Sequence, residues 1–548
     1  MIRDTFVLCL TLFLVVAPAN ADHQHDSAPP TTALLFENLG TLHHPVTTSS
    51  PLAQRYFDQG LRLVYAFNHD EATRSFQEAA RLDPNCAMAY WGIALTLGPN
   101  YNLPTDPKRA HAAYEAIQKA LALAPQVSEP ERVYVDAQAK RYSAAPDADR
   151  KALDKAYADA MREVAQRYPA DLDAATLFAE AMMDLRPWDL WTRDGQPQPG
   201  TLEIVSTLEG VLKKDPRHPG ANHYYIHAVE PSPNPERAIP SAERLEKGMP
   251  GAGHLVHMPS HIYMRVGRYQ DAAQSNARAA AIDEDYFKRQ NVQGVYPMMY
   301  YPHNLHFLWA ALSMEGRSVD ALQAARKVVT KVPTKMVQDM PSAEFASPTA
   351  LFALARFGKW KDILQEPTPP ADLHYTTGIW HYVRGLAFTA TGRLDDAVKE
   401  QASVTTIAAA MPPDRILGDN TPAVGLLNLA ANTLAGEITA KRSQTDEAIR
   451  FLEEAVRIQD GLPYTEPPPW YYPVRQSLGA ILLAAGRAKE AEMVYREDLK
   501  RNPENGWSLY GLRQSLRAQK KISEVLAVNK RFHKAWARAD IKLTASRF

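Results

Sequence analysis

The side chains that could do chemistry in this chain are concentrated between positions 223 and 306. Of the 17 histidines in the 548-residue sequence, seven lie in this stretch, where an even distribution would place about two or three. They are His223, His227, His254, His257, His261, His303 and His306, and Glu230 lies among them. Because histidine is the commonest metal ligand in proteins, this concentration predicts a metal site built from imidazole nitrogens.

The spacing of these residues predicts helical faces in equivalent positions of a repeat. The first group, from His223 to Glu230, follows an i, i+4, i+7 pattern, and the second, from His254 to His261, follows i, i+3, i+7. Each group therefore lies along one face of a helix. Position numbers 223 and 257 differ by 34, and so do 227 and 261. A constant difference of this size indicates repeats of helix-turn-helix type.

Helical repeats must position these side chains, and their signature begins at residue 53. Gly60, Ala72, Phe76, Ala79 and Pro84 stand at the offsets that define the tetratricopeptide (TPR) repeat. Small residues let the two helices approach closely, and the proline ends the second helix. Partial copies of the pattern recur to the C-terminus, and no strand-like alternation competes with them. We therefore predict an all-α, right-handed superhelical TPR solenoid of about ten to twelve helix-turn-helix repeats.

Several longer phrases resemble a group of exported bacterial TPR proteins. They are FNHDEATRSFQEAARLDP, MAYWGIALTLGPNYN, HYYIHAVEPSPNP, HMPSHIYMRVGRY and EPPPWYYPVRQSLGAILLAAGR. The resemblance implies a scaffold with a concave surface, and it brings no established activity with it. It also implies that positions 2, 5, 9, 12 and 13 of each repeat line that surface. The first histidine group falls at positions 5, 9 and 12, the second at 2, 5 and 9, and His303 and His306 at 2 and 5, so all eight residues face one groove.

The N-terminus and the composition limit the location and the partners. Residues 1–21 combine Arg3, the apolar run FVLCLTLFLVVA and Ala-Asn-Ala, which predicts a signal peptide cleaved after Ala21. We therefore expect a periplasmic or secreted bacterial protein. Cys86 would be the only cysteine of the mature chain, so no intramolecular disulfide is expected. With 61 basic and 62 acidic residues, the chain has no charge excess that favours nucleic acid, and no membrane insertion is expected after signal cleavage.

The predicted organisation has five parts. A signal peptide (1–21) is followed by a flexible lead-in (22–50) and an N-terminal TPR array that includes the first two histidine groups (51–286). An insertion and the third histidine-bearing repeat come next (287–343), before a C-terminal TPR array (344–548).

The histidine groups predict a site with room for more than one ion. Neighbouring helices lie about 8–10 Å apart, and two imidazoles with metal bonds of about 2.0–2.1 Å bridge that gap. Imidazole suits copper, iron, zinc or nickel. Glu230 is the one evident acid, which favours copper or iron and redox or oxygen chemistry over zinc and hydrolysis. Glu180 and Asp184, at groove positions, would add carboxylates. We expect Glu230 to ligate or to move protons, and His254 and His303 to support the ligands.

Two other functions stay compatible with the sequence. A groove without metal would bind a peptide or a partner protein, although such grooves usually carry mixed Asn, Lys, Arg and aromatic residues. A metal carrier would share the same site, whereas an enzyme would take a small molecule or a peptide into the groove. We expect His69 to cap or pack in a turn. The roles of His43 and His44 stay open, because the N-terminal lead-in that carries them could fold back onto the solenoid.

Overall fold

The computed structural model describes residues 33–290, 292–418 and 420–548, so the predicted signal peptide and the start of the lead-in lie outside the described residues. The described part consists mainly of α-helices joined by short turns. The helices are α1 (Pro51–Tyr65), α2 (His69–Leu82), α3 (Ala87–Leu97), α4 (Pro107–Leu123), α5 (Glu129–Ala139), α6 (Arg150–Arg167), α7 (Leu172–Asp184), α8 (Thr201–Lys214), α9 (Pro219–Val229), α10 (Ile239–Gly248), α11 (Gly253–His257), α12 (Pro259–Arg265), α13 (Tyr269–Gln290), α14 (Tyr301–Glu315), α15 (Ser318–Lys331), α16 (Thr334–Asp339), α17 (Thr349–Arg356), α18 (Trp360–Gln365), α19 (His374–Ala390), α20 (Leu394–Ala410), α21 (Ala423–Lys441), α22 (Thr445–Gly461), α23 (Arg475–Ala484), α24 (Ala488–Arg501), α25 (Gly506–Ala518) and α26 (Ile522–Ala535). Most helices pack against the next one along the chain, which confirms the all-α solenoid of helix-turn-helix pairs.

Other elements are few and short. In the described ranges they are three 3₁₀ turns (Ala124–Gln126, Pro235–Ala238 and Pro341–Ala346), one turn of π-helix (Tyr296–Tyr300), and an antiparallel pair of strands, β1 (Ile416–Leu417) and β2 (Thr421–Pro422). Within the described ranges, every helix is too short or too polar to span the apolar layer of a bilayer.

The first repeat shows why the signature residues recur. Gly60 on α1 and Gly92 on α3 both face Phe76 on α2. A Cβ atom at Gly60 would lie 2.6 Å from the phenyl ring, and one at Gly92 would lie 2.5 Å from it. Phe76 is fully buried. The two glycines therefore let both neighbouring helices reach this ring, which is the close approach that the sequence predicted.

Many turns within the helix pairs contain a residue in the left-handed backbone region. Glycine holds this position at Gly267, Gly316, Gly358, Gly392 and Gly486, with φ between 63° and 81°. In the first repeat, Phe67 holds it with φ of 54°. This conformation costs an ordinary side chain about 1–2 kcal/mol. A bulky residue kept in such a position indicates a local role, and the Phe67 ring lies against the histidines.

The helices α9, α11, α12 and α14 position the histidines. Pro259 has no backbone N–H to donate, and it divides the second histidine group between α11 and α12. Met258, between the two helices, keeps helical dihedral angles (φ −50°, ψ −35°), so the run from His254 to His261 stays nearly continuous. The π-helical turn then leads into α14, which carries the third histidine group.

The described part of the lead-in, from residue 33 to 50, is held against the first helices. The hydroxyl of Tyr56 donates to the carbonyl of Ala33 at 2.7 Å, and the backbone N–H of Thr47 donates to Glu131 at 2.6 Å. The sequence indicated a flexible segment from 22 to 50. The described residues 33–50 make hydrogen bonds to α1, to Asp83 at the end of α2 and to α5.

Candidate metal centre

Three histidines of α9 and α11 form what we call the first triad: His223, His227 and His254. Candidate ligand atoms of the three rings lie within 4.8 Å of one another. The Nδ1–H of His223 donates to the carbonyl oxygen of Tyr65 at 2.7 Å, which leaves its Nε2 as an acceptor. That Nε2, the Nε2 of His227 and both ring nitrogens of His254 are buried without a hydrogen-bond partner in the described structure.

The second triad consists of His257, His261 and His303, on α11, α12 and α14. Its candidate ligand atoms also lie within 4.8 Å of one another. The Nδ1 of His257 is 2.6 Å from the Oδ1 of Asn276, and the amide nitrogen of Asn276 donates to the carbonyl of Ala272 at 2.8 Å. The asparagine oxygen therefore accepts, and His257 Nδ1 carries the hydrogen. The Nε2 atoms of His257 and His261 face each other at 2.9 Å.

Glu230 joins the two triads. One carboxylate oxygen is 2.8 Å from Nδ1 of His227, and the other is 2.6 Å from Nδ1 of His261. The carboxyl group is fully buried. Burial by itself would raise the pKa of Glu230, but the charge of His261 and the hydrogen bonds from both rings lower it to about 2. An ionised carboxylate only accepts hydrogen bonds, so both Nδ1 atoms carry hydrogen and both Nε2 atoms point away from Glu230.

Burial also determines the charge of the other rings. It lowers the pKa of His223, His254 and His257 well below the ordinary value of 6.5, and repulsion from neighbouring imidazoles adds to the effect. Burial acts in the same direction on His261, but the negative charge of Glu230 outweighs it and raises the pKa of His261. The centre is therefore a set of mainly neutral imidazoles around one buried carboxylate, and neutral imidazole is the form that binds metal.

The triads lie side by side, and each packs against a phenylalanine. Ring centroids of His227 and His261, one from each triad, are 5.3 Å apart. The Phe67 ring lies 4.4 Å from the His223 ring, and the Phe307 ring lies 4.6 Å from the His261 ring. These phenylalanines exclude water from one side of each triad, which strengthens electrostatic interactions inside the centre.

A cavity of about 1120 Å³ lies beside the centre, lined by residues that include Trp188, Arg265, Tyr464 and Glu466. The Trp188 ring is 5.6 Å from the His227 ring. Between α22 and α23, a proline-rich loop brings the hydroxyl of Tyr464 to 3.3 Å from Glu230, and the same hydroxyl donates to Glu466. Burial and the charge of Glu230 raise the pKa of Glu466 to about 7. The chain Glu230, Tyr464 and Glu466 thus connects the histidines to the cavity.

Three residues that the sequence placed in the groove lie apart from the triads. His306 stacks on Trp309 at 5.0 Å, with ring planes 14° apart, and belongs to neither triad. Burial lowers its pKa to about 3. Glu180 and Asp184 surround the buried guanidinium of Arg141, which forms an ion pair with Asp184. They are thus engaged by a cation and do not supply carboxylates to the histidines.

The remaining histidines of interest have other partners. His44 Nδ1 lies 2.8 Å from the buried carboxylate of Asp173, which also accepts a hydrogen bond from Tyr65 at 2.7 Å. His43 pairs with Asp58 at 2.8 Å. The two residues thus fasten the lead-in to the helices. His69 stacks on Phe67 with ring centroids 5.7 Å apart, in the turn where we expected it to cap or pack.

Sequence reasoning missed the residues that complete the surroundings of the triads. Tyr464 and Glu466 lie in the segment YTEPPPW, whose prolines predict a rigid turn but no role at the histidines. Asn276 lies on α13 at the i+19 position from its partner His257, and Phe67 occupies a turn position that usually belongs to glycine. The bulky residue at that turn was the one signal that the sequence offered.

Comparisons with known proteins indicate no family. No family model matches the chain, and no curated protein matches it. Among solved structures, human IFIT1 in a dimer with m7Gppp-AAAA is 12% identical, with a TM-score of 0.34 over 90% of this chain and 92% of that one. Yeast Tom70 is 10% identical, with a TM-score of 0.28 over 88% and 92% of the two chains. The fold assignment therefore depends on the helix pairing described above.

Proposed function

We propose that this protein binds two transition-metal ions, one at each histidine triad, and uses them in redox chemistry on a substrate held in the adjacent cavity. The main observation that supports the proposal is the contact between the rings of His257 and His261. Both rings already donate through Nδ1, so in their neutral forms both Nε2 atoms are acceptors. Two acceptors 2.9 Å apart need a cation between or beside them, either a proton or a metal ion. His303 would be the third ligand, because its candidate ligand atom lies within 4.8 Å of those of the other two rings.

The unsatisfied nitrogens of the first triad support the same proposal. Leaving a buried polar atom without a partner costs about 1–3 kcal/mol, and four imidazole nitrogens of this triad are in that position among the described residues. A metal ion bound by Nε2 of His223 and His227 and by one nitrogen of His254 would satisfy three of them. The Nδ1 partners, Tyr65 and Glu230, would then fix the ring orientation, as such partners do for metal-bound histidines.

The donor set favours copper or zinc over iron, and the redox chemistry proposed here requires copper. Each triad offers three imidazoles, and Glu230 is already used by two Nδ1–H groups. Carboxylate-rich surroundings, which suit iron, are therefore missing from the described part of the centre, whereas all-imidazole sets suit copper and zinc. A bound copper ion would supply one-electron chemistry. Three protein ligands leave a further position for a substrate or another small molecule.

The residues between the triads and the cavity have roles of their own in this proposal. Trp188 and Tyr464 line the cavity next to the histidines and would limit the access of water to bound ions. Tyr464, placed between the two carboxylates, would pass protons between Glu230 and Glu466. Arg265 donates to the backbone carbonyl of Glu230 at 3.0 Å and so holds the end of α9 in place. The proposal includes export to the periplasm, which the apolar segment at 1–21 supports.

Metal analysis of the purified protein tests the proposal. Plasma mass spectrometry on protein prepared without chelators should find two equivalents of copper per chain. The double variant His227→Ala/His261→Ala removes one ligand from each triad and should lose most of the metal with helicity nearly unchanged. A control, His111→Ala/His381→Ala, removes two histidines of other repeats and should keep the metal.

Each other outcome redirects the interpretation. Zinc in place of copper would turn the search towards hydrolysis. Equal metal content in the two double variants would disprove the site. Protein that contains no metal and takes up none on reconstitution would favour a scaffold that binds a peptide or a partner protein.

A further inference from the structure

A second cavity lies in the C-terminal array, well apart from the histidines in the sequence. Its volume is about 590 Å³, and its walls come from α17, α19, α21, α23 and the C-terminal tail. Much of the lining is apolar, with Leu386, Ile481 and Phe548 among its members. Three cationic side chains also line it, Arg356, Lys441 and Arg547, against the single carboxylate of Glu437.

Arg356 is the unusual member of this lining. Its side chain, at the end of α17, is only 4% exposed. Its guanidinium stacks on the Trp507 ring at 3.6 Å from the centroid. Within the described structure, Nε and Nη2 of Arg356 are buried without a hydrogen-bond partner, and no carboxylate forms an ion pair with it. Burial lowers the pKa of Arg356 to about 9. A buried cation left without hydrogen bonds or a counter-charge is strongly unfavourable.

The surrounding acids do not supply that counter-charge. Glu437 is held by Arg547, with 2.9 Å between Oε2 and Nη2. Asp498, the acid that acts on Arg356 through space, already accepts hydrogen bonds from Ser508 and Asn505. The cavity therefore has an excess of positive charge at a side chain that the fold keeps buried.

We propose that Arg356 forms the floor of a binding site for a small organic anion, whose carboxylate or phosphate group meets the guanidinium and whose apolar part fills the rest of the cavity. Arginine suits this task because its planar fork of N–H donors matches both oxyanions. Trp507 holds the fork in one orientation by stacking, and Ile481 and Leu386 offer the apolar surface. This site is independent of the histidine centre.

Binding of simple probes to the full-length protein tests the proposal. Calorimetric titrations would compare benzoate, phenyl phosphate, inorganic phosphate and the cation benzylamine. We expect benzoate or phenyl phosphate to bind and to raise the melting temperature, and benzylamine to do neither. Stronger binding of benzoate would identify a carboxylate ligand, and stronger binding of phenyl phosphate a phosphate ester. Absence of binding by all three anions up to about 10 mM, or equal binding of benzylamine, would overturn the proposal.

Variants locate the binding. Arg356→Met should weaken the anion at least tenfold, while raising the melting temperature of the ligand-free protein because an unpaired buried charge is removed. The control Arg450→Met, on the exposed face of α22, should change neither quantity. Ala440→Trp, which fills the cavity and leaves Arg356 in place, should also abolish binding. This variant alone is sufficient for the test if Arg356→Met fails to fold. Parental affinity in both cavity variants would refute the site.

Discussion

Replacing Glu230 with glutamine tests how the two triads share one carboxylate. The variant keeps the size of the side chain but offers one carbonyl oxygen and one NH₂ group. The oxygen can accept from the Nδ1–H of either His227 or His261. The NH₂ group can only donate, so the ring that faces it must carry its hydrogen on Nε2 instead. That ring can no longer bind a metal ion through Nε2, and one triad loses a ligand.

The expected loss follows from the role of groups that orient metal ligands. Their removal typically costs 10- to 100-fold in metal affinity, which corresponds to about 1.4–2.8 kcal/mol. We expect this loss at one of the two sites, with nearly parental affinity at the other. The ligand-free variant should also be less stable, because hydrogen bonds to a charged group contribute about 1.5–3 kcal/mol each.

Copper titration in competition with a chromogenic chelator measures both affinities in one experiment. Glu400→Gln is the matched control, since Glu400 accepts from His381 and Arg384 in a repeat that carries no triad. Two ions bound to Glu230→Gln with parental affinity would refute the reasoning. An equal loss in Glu400→Gln would show that the effect is general destabilisation.

Three further predictions concern the scaffold. Gly60→Ala should lower the free energy of unfolding by about 1–3 kcal/mol in urea titrations, because the new Cβ meets the Phe76 ring and overpacking outweighs the better helix propensity; unchanged stability would contradict the packing. Phe67→Gly relieves the strained turn but loses a buried ring, so we expect the free energy of unfolding to fall by about 2–4 kcal/mol. Metal binding, measured by competition titration, should also weaken. Parental metal affinity would exclude a role for the ring. Burial lowers the pKa of His44, but the hydrogen bond and charge of Asp173 outweigh it and raise that pKa above 6.5. The contact between His44 and Asp173 therefore stabilises the docked lead-in fully below about pH 6.5 and loses strength as the pH rises. Limited proteolysis should cleave the lead-in faster at pH 9 than at pH 6, and His44→Gln should remove this difference.

The repeat period was sufficient to predict the fold and to place histidines of successive repeats near one another. A spacing of 34 residues between histidines required successive helix pairs, and the close approach of Gly60 and Gly92 to Phe76 follows from the same signature. Such local rules act over fewer than about 50 residues, which is why they can be read from one sequence. That the histidines face one groove was implied by the resemblance to TPR proteins and not by these rules.

The surroundings of the site depend on contacts that local rules do not describe. Tyr464 reaches Glu230 across 234 positions of the sequence. The curvature of the whole stack decides whether that loop meets α9, and curvature accumulates from small rotations in every repeat. The same limit applies to Glu180 and Asp184. Their groove positions were predictable, but their pairing with Arg141 depends on where the turn between α5 and α6 lies relative to α7.

The repeats also explain why there are two triads and why His306 belongs to neither. Each triad takes two histidines four residues apart, 223 and 227 or 257 and 261, and adds the position-2 histidine of the next repeat, 254 or 303. The difference between 254 and 303 is 49, one period of 34 plus an insertion of 15.

His306 begins a third copy of this pattern that stays incomplete. The residue four positions later is Ala310, which lines the large cavity where a second imidazole would otherwise stand. Because the repeat that would supply a third triad lacks this ligand, we expect the proposed centre to hold two metal ions and no third. Copper titration should therefore saturate at two ions per chain, and His306→Ala should leave that number unchanged; a third ion lost in this variant would contradict the duplicated arrangement.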